Sequence, residues 1–118
     1  TIMSCEVVSM TLAVFVDHPP DYTGTWTEYF VSGEPRVVTH YDHGKEVGTT
    51  TVYQDDGRTE SIYRYDDKGV RLEEIGYWPG TDQMSHQGGY TDNKPSGVWT
   101  FYNEDGSVSF TTDYSTSP

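Results

Sequence analysis

Residues 6–16 place Val8, Met10, Leu12, Val14 and Val16 in one phase and Val7, Ser9, Thr11, Ala13 and Phe15 in the other, the most apolar stretch of the chain. This alternation predicts an extended strand. It stops at His18-Pro-Pro-Asp21, where two consecutive prolines remove backbone donors that a strand interior requires. Beyond that break the pattern changes to short runs of Thr, Val, Ile, Tyr and Glu, such as Thr49-Thr-Thr-Val-Tyr53 and Thr59-Glu-Ser-Ile-Tyr-Arg-Tyr65. β-branched and aromatic residues dominate these runs, which is strand composition. No segment holds apolar residues at i, i+3, i+4 and i+7 between caps, so no helix is predicted.

The runs recur. Eight of the ten tyrosines stand at 29, 41, 53, 65, 77, 90, 102 and 114, in steps of 12, 12, 12, 12, 13, 12 and 12. A fixed period of this kind marks a tandem array. Turn chemistry follows most of these tyrosines: Val31-Ser-Gly33, Asp42-His-Gly44, Asp55-Asp-Gly57, Asp66-Asp-Lys-Gly69, Trp78-Pro-Gly80 and Asn103-Glu-Asp-Gly106. Gly supplies positive φ there, and Asp or Asn hydrogen-bonds the nearby backbone. Tyr90 precedes Thr-Asp-Asn-Lys-Pro-Ser-Gly97, which reads as a longer turn. Subtracting about four turn residues from each period leaves strands of about eight, roughly 27 Å long. Short turns between such strands dictate an antiparallel meander.

Two periods make one hairpin of 24 residues, because Gly24-Thr-Trp26, Gly48-Thr-Thr50 and Gly97-Val-Trp99 begin equivalent strands and Leu72-Glu-Glu74 fills a degenerate start. Tyrosines 29, 53, 77 and 102 are then expected at one end of the sheet, and 41, 65, 90 and 114 at the other. The predicted fold is all-β: a single-layer twisted antiparallel meander of tandem hairpins. Residues 1–118 are read as one domain, with 1–23 as an N-terminal capping strand plus proline break and 24–118 as the repeats. A strand swapped within a homodimer would have the same N-terminal sequence.

Composition narrows the picture. At 118 residues with 33% apolar content and a mean hydropathy of -0.70, a thick aliphatic core is excluded; aromatics at 14% point to a thin fold held by rings. No apolar run approaches the roughly 18 residues of a membrane helix. Nineteen Asp and Glu against seven Lys and Arg give a net charge of -12, which repels phosphate backbones and anionic lipid. A basic protein is the expected partner; direct nucleic-acid or membrane binding is not. The lone cysteine, Cys5, allows no internal disulfide and fits a reducing, cytoplasmic location. A start at Thr1 is compatible with initiator Met removal, and the alternative is a lipoprotein remnant ending before a lipidated Cys5.

The units Gly24-Thr-Trp-Thr-Glu-Tyr-Phe-Val-Ser-Gly33 and Gly97-Val-Trp-Thr-Phe-Tyr-Asn-Glu-Asp-Gly106, with Tyr41-Asp-His-Gly-Lys-Glu-Val-Gly48 as a second half, resemble MORN repeats. They are most similar to the bacterial variant of YwqK-type antitoxin proteins, Gly-x-Trp-x-x-Tyr-Tyr-x-x-Gly followed by Tyr-x-x-Gly-Lys-x-x-Gly. The resemblance spans 24–114 and implies a curled antiparallel sheet that binds macromolecules without chemistry of its own. The third unit departs from it: Gly76-Tyr-Trp-Pro-Gly80 runs into Thr-Asp-Gln-Met-Ser-His86 without Gly-Lys, where a bulge or loop is expected.

Chemistry-bearing motifs are sparse. The acids Asp55, Asp56, Asp66, Asp67, Glu104 and Asp105 form isolated pairs on separate turns, not the alternating ligands of a calcium loop. His40 and His43 are the closest histidine pair, three apart and so on opposite faces of a strand; surface or turn placement explains all four histidines, and no metal or cofactor is expected. Nucleophile, zinc-hydrolase and phosphate-loop motifs are missing, and an enzyme is not predicted. Tyrosines in one phase read first as packing ladders. Rings beside acids also suit an Arg- or Lys-rich partner. Trp26 and Trp99 occupy the packing position, which leaves Trp78, beside Pro79, as the exposed anchor candidate.

The expectation is therefore a non-enzymatic acidic module that binds and neutralises or scaffolds a basic protein such as a toxin, nuclease or effector, in the manner of an antitoxin or immunity protein. Its candidate partner-binding residues are Asp55, Asp56, Asp66, Asp67, Glu73, Glu74, Trp78, Glu104 and Asp105. The alternative is a phage-type anti-defence inhibitor whose carboxylates imitate nucleic acid to block a nuclease or CRISPR effector. A third reading is a small-ligand or lipid-binding module, since eukaryotic MORN arrays are associated with membranes.

Overall fold

A computed structural model of the chain describes residues 7–8 and 19–114. Among the described residues ten strands form one sheet: β1 (Val7–Val8), β2 (Gly24–Phe30), β3 (Pro35–Asp42), β4 (Lys45–Glu46), β5 (Gly48–Tyr53), β6 (Thr59–Tyr65), β7 (Arg71–Tyr77), β8 (Met84–Thr91), β9 (Lys94–Tyr102) and β10 (Val108–Asp113). They lie side by side in the order β1-β2-β3-β5-β6-β7-β8-β9-β10, with the short β4 also paired to β3. No helix among the described residues is long and apolar enough to cross a membrane. The predicted strand over 6–16 is described only at Val7–Val8; its remainder and Cys5 lie outside the described residues. Val7 and Val8 run parallel to β2, opposite Tyr29 and Phe30, whereas every other pair is antiparallel. The hairpin rule that makes the meander antiparallel does not reach this pair, because the connection to β2 is no short turn.

Period becomes position through the turns. Residues 30–34, 54–58, 66–70 and 103–107 close in the same way: the first N–H donates to the fifth carbonyl at 2.6–2.9 Å, and the N–H of the fourth residue, a glycine, donates back to the first carbonyl. Those glycines have φ of 96°, 89°, 83° and 94°, a region that side chains with a Cβ enter at a cost. Register shifts beside Tyr29, Tyr53, Tyr65 and Tyr77 give each strand a bulge at its turn. The thirteen-residue step is absorbed at 78–83, where Tyr77 pairs with Met84 and Trp78 N–H reaches Gln83 O, one residue further than in the equivalent loops. The long turn expected after Tyr90 is not there. Thr91 pairs with Lys94, and Asp92 and Asn93, with φ of 53° and 64°, form a two-residue turn of the mirror-image type that matches strand twist.

The two tyrosine rows fall as the period predicts, since Tyr29, Tyr53, Tyr77 and Tyr102 pair just before loops at one end and Tyr41, Tyr65 and Tyr90 at the other.

The middle of the sheet carries its rings mainly on one face. A register row crosses the sheet through Glu28, Val37, Val52, Ser61, Gly76, His86, Phe101 and Phe110. The adjacent row, on the reverse face, runs through Thr27, Val38, Thr51, Ile62, Ile75, Gln87, Thr100 and Thr111, none of them aromatic; nearer the loops Gln87 Nε2 donates to Tyr102 Oη at 2.8 Å on that face. Among the described residues, Trp26, Phe30 and Trp99 are the buried apolar side chains of this single layer. Trp99 donates its indole N–H to Gly89 O at 3.0 Å and meets Tyr90 and Tyr114 edge-on. Trp26 meets Tyr22 edge-on, and Tyr22 in turn meets Tyr41. Glycines make room for the large rings: a Cβ on Gly88 would lie 2.1 Å from the Trp99 ring, and one on Gly76 would lie 2.1 Å from His86.

Candidate functional site

The acids singled out from sequence are sorted by the fold into separate places. Asp55, Asp56, Glu104 and Asp105 stand with Trp78 at the end marked by Tyr53, Tyr77 and Tyr102; Asp66 and Asp67 stand at the opposite end; Glu73 and Glu74 lie in mid-sheet on β7.

At the first end three loops are tied to one another. Gln54 Oε1 accepts from Gly80 N–H at 2.6 Å, Arg58 sits 3.7 Å from Asp82, and Trp78 donates its indole N–H to Tyr102 O at 3.2 Å. Gln83 Oε1 lies against Gly106, where a Cβ would meet it at 3.0 Å. Loops 54–58, 78–83 and 103–107 thus form a continuous rim.

Within the rim some carboxylates are committed to the turns themselves. Asp56 accepts from Arg58 N–H at 2.9 Å and Asp105 from Ser107 N–H and Oγ at 2.9 and 2.6 Å. Asp66 does the same at the far end, with Lys68 and Val70 N–H. These hydrogen bonds favour the ionised form: backbone N–H donation holds Asp56 and Asp66 below the ordinary carboxylate range, and the Ser107 hydroxyl and N–H do so for Asp105. Among the described residues, Asp55, Asp67 and Glu104 are exposed and make no such bond.

Beside this rim lies an open cleft of about 430 Å³ lined by Tyr77, Trp78, Pro79, Ser85, His86, Phe101, Tyr102, Asn103, Ser109 and Phe110. Its floor is a ring stack: His86 lies 6.1 Å from Phe101, and Phe101 lies 4.5 Å from Phe110 at an interplanar angle of 12°. Phe110 on the edge strand β10 is 54% exposed, so the stack ends on an open ring. Volume and aromatic walls match a pocket for one long side chain or small organic group.

Glu73 and Glu74 have other duties. Glu73 pairs with Arg64 at 2.7 Å across two strands. Glu74 is the repeat equivalent of Trp26 and Trp99, and it brings a carboxylate to a packing position. It is held by Tyr90 Oη at 2.7 Å and His86 Nε2 at 2.9 Å. Burial raises its pKa, but hydrogen bonds from Tyr90 and His86 and the charges of His86 and Arg71 outweigh that, leaving it below the usual range. Tyr90 shifts up, through burial first and through its bond to Glu74 second.

Sequence reasoning missed His86, Phe101 and Phe110 as site residues. His86, read as a surface or turn histidine, sits in β8 with its ring half-buried over Gly76. The available signal was Gly76: a glycine inside a strand marks a place where something large comes close. His40 and His43 are held apart, His40 by Thr25 and His43 by Asp21. Comparison with protein-family models, curated proteins and solved structures finds no match for this chain.

Proposed function

We propose that this protein is a non-enzymatic binding module that captures a basic partner protein at the rim formed by loops 54–58, 78–83 and 103–107. The observation that carries this reading is the cleft of about 430 Å³ with Trp78, Phe101 and Phe110 in its walls, next to a rim whose exposed carboxylates include Glu104, which follows the lining residue Asn103, and Asp55, in the loop that Gln54 ties to Gly80. An arginine or lysine of the partner fits both parts at once: its charge meets the carboxylates, and its stem or guanidinium plane lies on the rings. The net charge of -12 adds long-range attraction that speeds encounter with a basic surface. Neutralisation of a toxin, nuclease or effector is the corresponding biological role, in a cytoplasmic setting.

We read the hairpins as MORN-like units of the YwqK type. Trp26 and Trp99 support this, since the equivalent position in two units buries an indole, at 5% and 6% exposure.

The test is capture from lysate of the source organism at low and high salt, followed by association kinetics with the captured protein. The reading expects the association rate to fall steeply with salt and Trp78→Ala combined with Glu104→Gln to lower affinity at least about tenfold. Salt-independent association, or an unchanged affinity in that variant, overturns it. Displacement of DNA or RNA from the captured protein would identify the nucleic-acid-mimicking inhibitor instead.

A further inference from the structure

At the opposite end of the sheet a second cleft of about 430 Å³ is lined by Glu46, Tyr65, Gly69, Arg71, Tyr90 and Asn93. Arg71 differs from the other arginines. Arg36, Arg58 and Arg64 hold carboxylates at 2.6, 3.0 and 2.7 Å. Among the described residues Arg71 holds none within 4 Å, in a chain where acids outnumber basic side chains nineteen to seven. Its guanidinium carbon instead lies 4.8, 5.7 and 5.4 Å from the ring centres of Tyr63, Tyr65 and Tyr90. One N–H donates to Tyr65 Oη at 3.2 Å. The Tyr90 hydroxyl is a second partner, and five donors in a fixed fork are more than two phenols can use.

Glu46, also in the cleft wall, accepts a long bond from Thr50 Oγ1 at 3.4 Å, meets the Tyr65 hydroxyl that Arg71 also reaches, and has no cation within 4 Å among the described residues. The cleft therefore presents a guanidinium and a carboxylate that are not paired with each other. Glu74, held by Tyr90 and His86, adds a second negative charge near Arg71. With Arg71 opposed by two carboxylates, a simple anion such as phosphate or acetate is repelled, and a simple cation meets Arg71. A dipolar molecule satisfies both walls. Bidentate contact to its carboxylate suits the arginine fork, an ammonium suits Glu46, and tyrosine rings cover an attached side chain.

We propose that the Arg71 cleft binds a free α-amino acid, its carboxylate on Arg71 and its ammonium on Glu46. This site stands apart from the Trp78 rim and does not depend on the partner proposed there. The test is titration of the full chain with L-leucine, L-glutamate and L-lysine, alongside the Nα-acetyl and α-amide forms of each, followed by calorimetry and by amide shifts at Gly69 and Asn93. At least one free amino acid is expected to saturate with a Kd of about 1 mM or tighter. The N-acetyl and the amide form of whichever amino acid saturates are each expected to bind at least about tenfold more weakly than that free amino acid. Arg71→Gln and Glu46→Gln are each expected to weaken binding at least about tenfold. The proposal fails if none of the three saturates by about 10 mM, if the acetylated or amidated form binds as well as the free amino acid, or if both substitutions leave affinity unchanged. Should Arg71→Gln not fold, Glu46→Gln decides for the ammonium and the amidated ligand decides for the carboxylate.

Discussion

The two ends of the sheet share one period but differ in both their turns and their charge: the first closes through loops of five or six residues, the other through one such loop at 66–70 and two tight turns at 42–45 and 91–94. Loops 30–34, 54–58, 78–83 and 103–107 carry six carboxylates and a single cation, Arg58. At the other end Asp42, Asp66, Asp67 and Asp92 are matched by Lys45, Lys68 and Lys94, which are all the lysines of the protein. The aromatic cleft opens at the acidic end, and the cleft with an unpaired arginine opens at the mixed one. A repeated scaffold thus separates two kinds of surface through turn length as well as through the charge of the loop residues. Turn geometry depends on Gly and on short acceptor side chains, so other positions in the loop are free to set charge.

The contrast can be broken at its structural base first. Trp99→Ala should cost about 3–5 kcal/mol by urea unfolding, because a buried indole and its hydrogen bond are lost together. Trp78→Ala, half-buried and bonded once, should cost about 1–2 kcal/mol while abolishing the cleft. Gly88→Ala should cost about 1–3 kcal/mol, since its Cβ and the Trp99 ring cannot share that space; equal stability of this variant and the parent would show that the indole is not seated there. Reversing charge at the acidic end, with Asp55→Lys and Glu104→Lys, should slow association with a basic protein about tenfold, whereas Asp67→Lys at the mixed end should change it little. Both sets should leave stability within about 0.5 kcal/mol.

The smallest effect concerns pH. Glu74 has a folded pKa below its unfolded value of about 4.3, so its contribution is present above that value and is lost as pH falls through the folded pKa. Acid unfolding followed by circular dichroism should therefore be shallower in Glu74→Gln than in the parent over that window. An identical slope would mean that Tyr90 and His86 do not favour the ionised form.

Much of the architecture was legible because it rests on local chemistry. The tyrosine period, the Asp-Asp-Gly turns and the packing role of Trp26 and Trp99 each follow from residues close in sequence. The turn after Tyr90 was misjudged because Pro95 and Gly97 look like turn residues. Pro95 instead sits inside β9, where the tight Asp92-Asn93 turn already reverses the chain. The aromatic cleft was hidden for a different reason. Trp78, His86, Phe101 and Phe110 come from four stretches, and only the cross-strand register sets His86 beside Phe101 and Phe101 beside Phe110.

Spacing and turn residues were enough to dictate a meander with tyrosines at both ends, since hairpin closure is decided within five or six residues. Which loops gather into one rim, which arginine goes without a carboxylate, and what holds Glu74 in an indole's place all depend on neighbours from other strands and loops, such as Gln54 on Gly80 and Tyr90 and His86 on Glu74. Those neighbours meet only when the strands align, and burial and pairing energies are defined by that alignment.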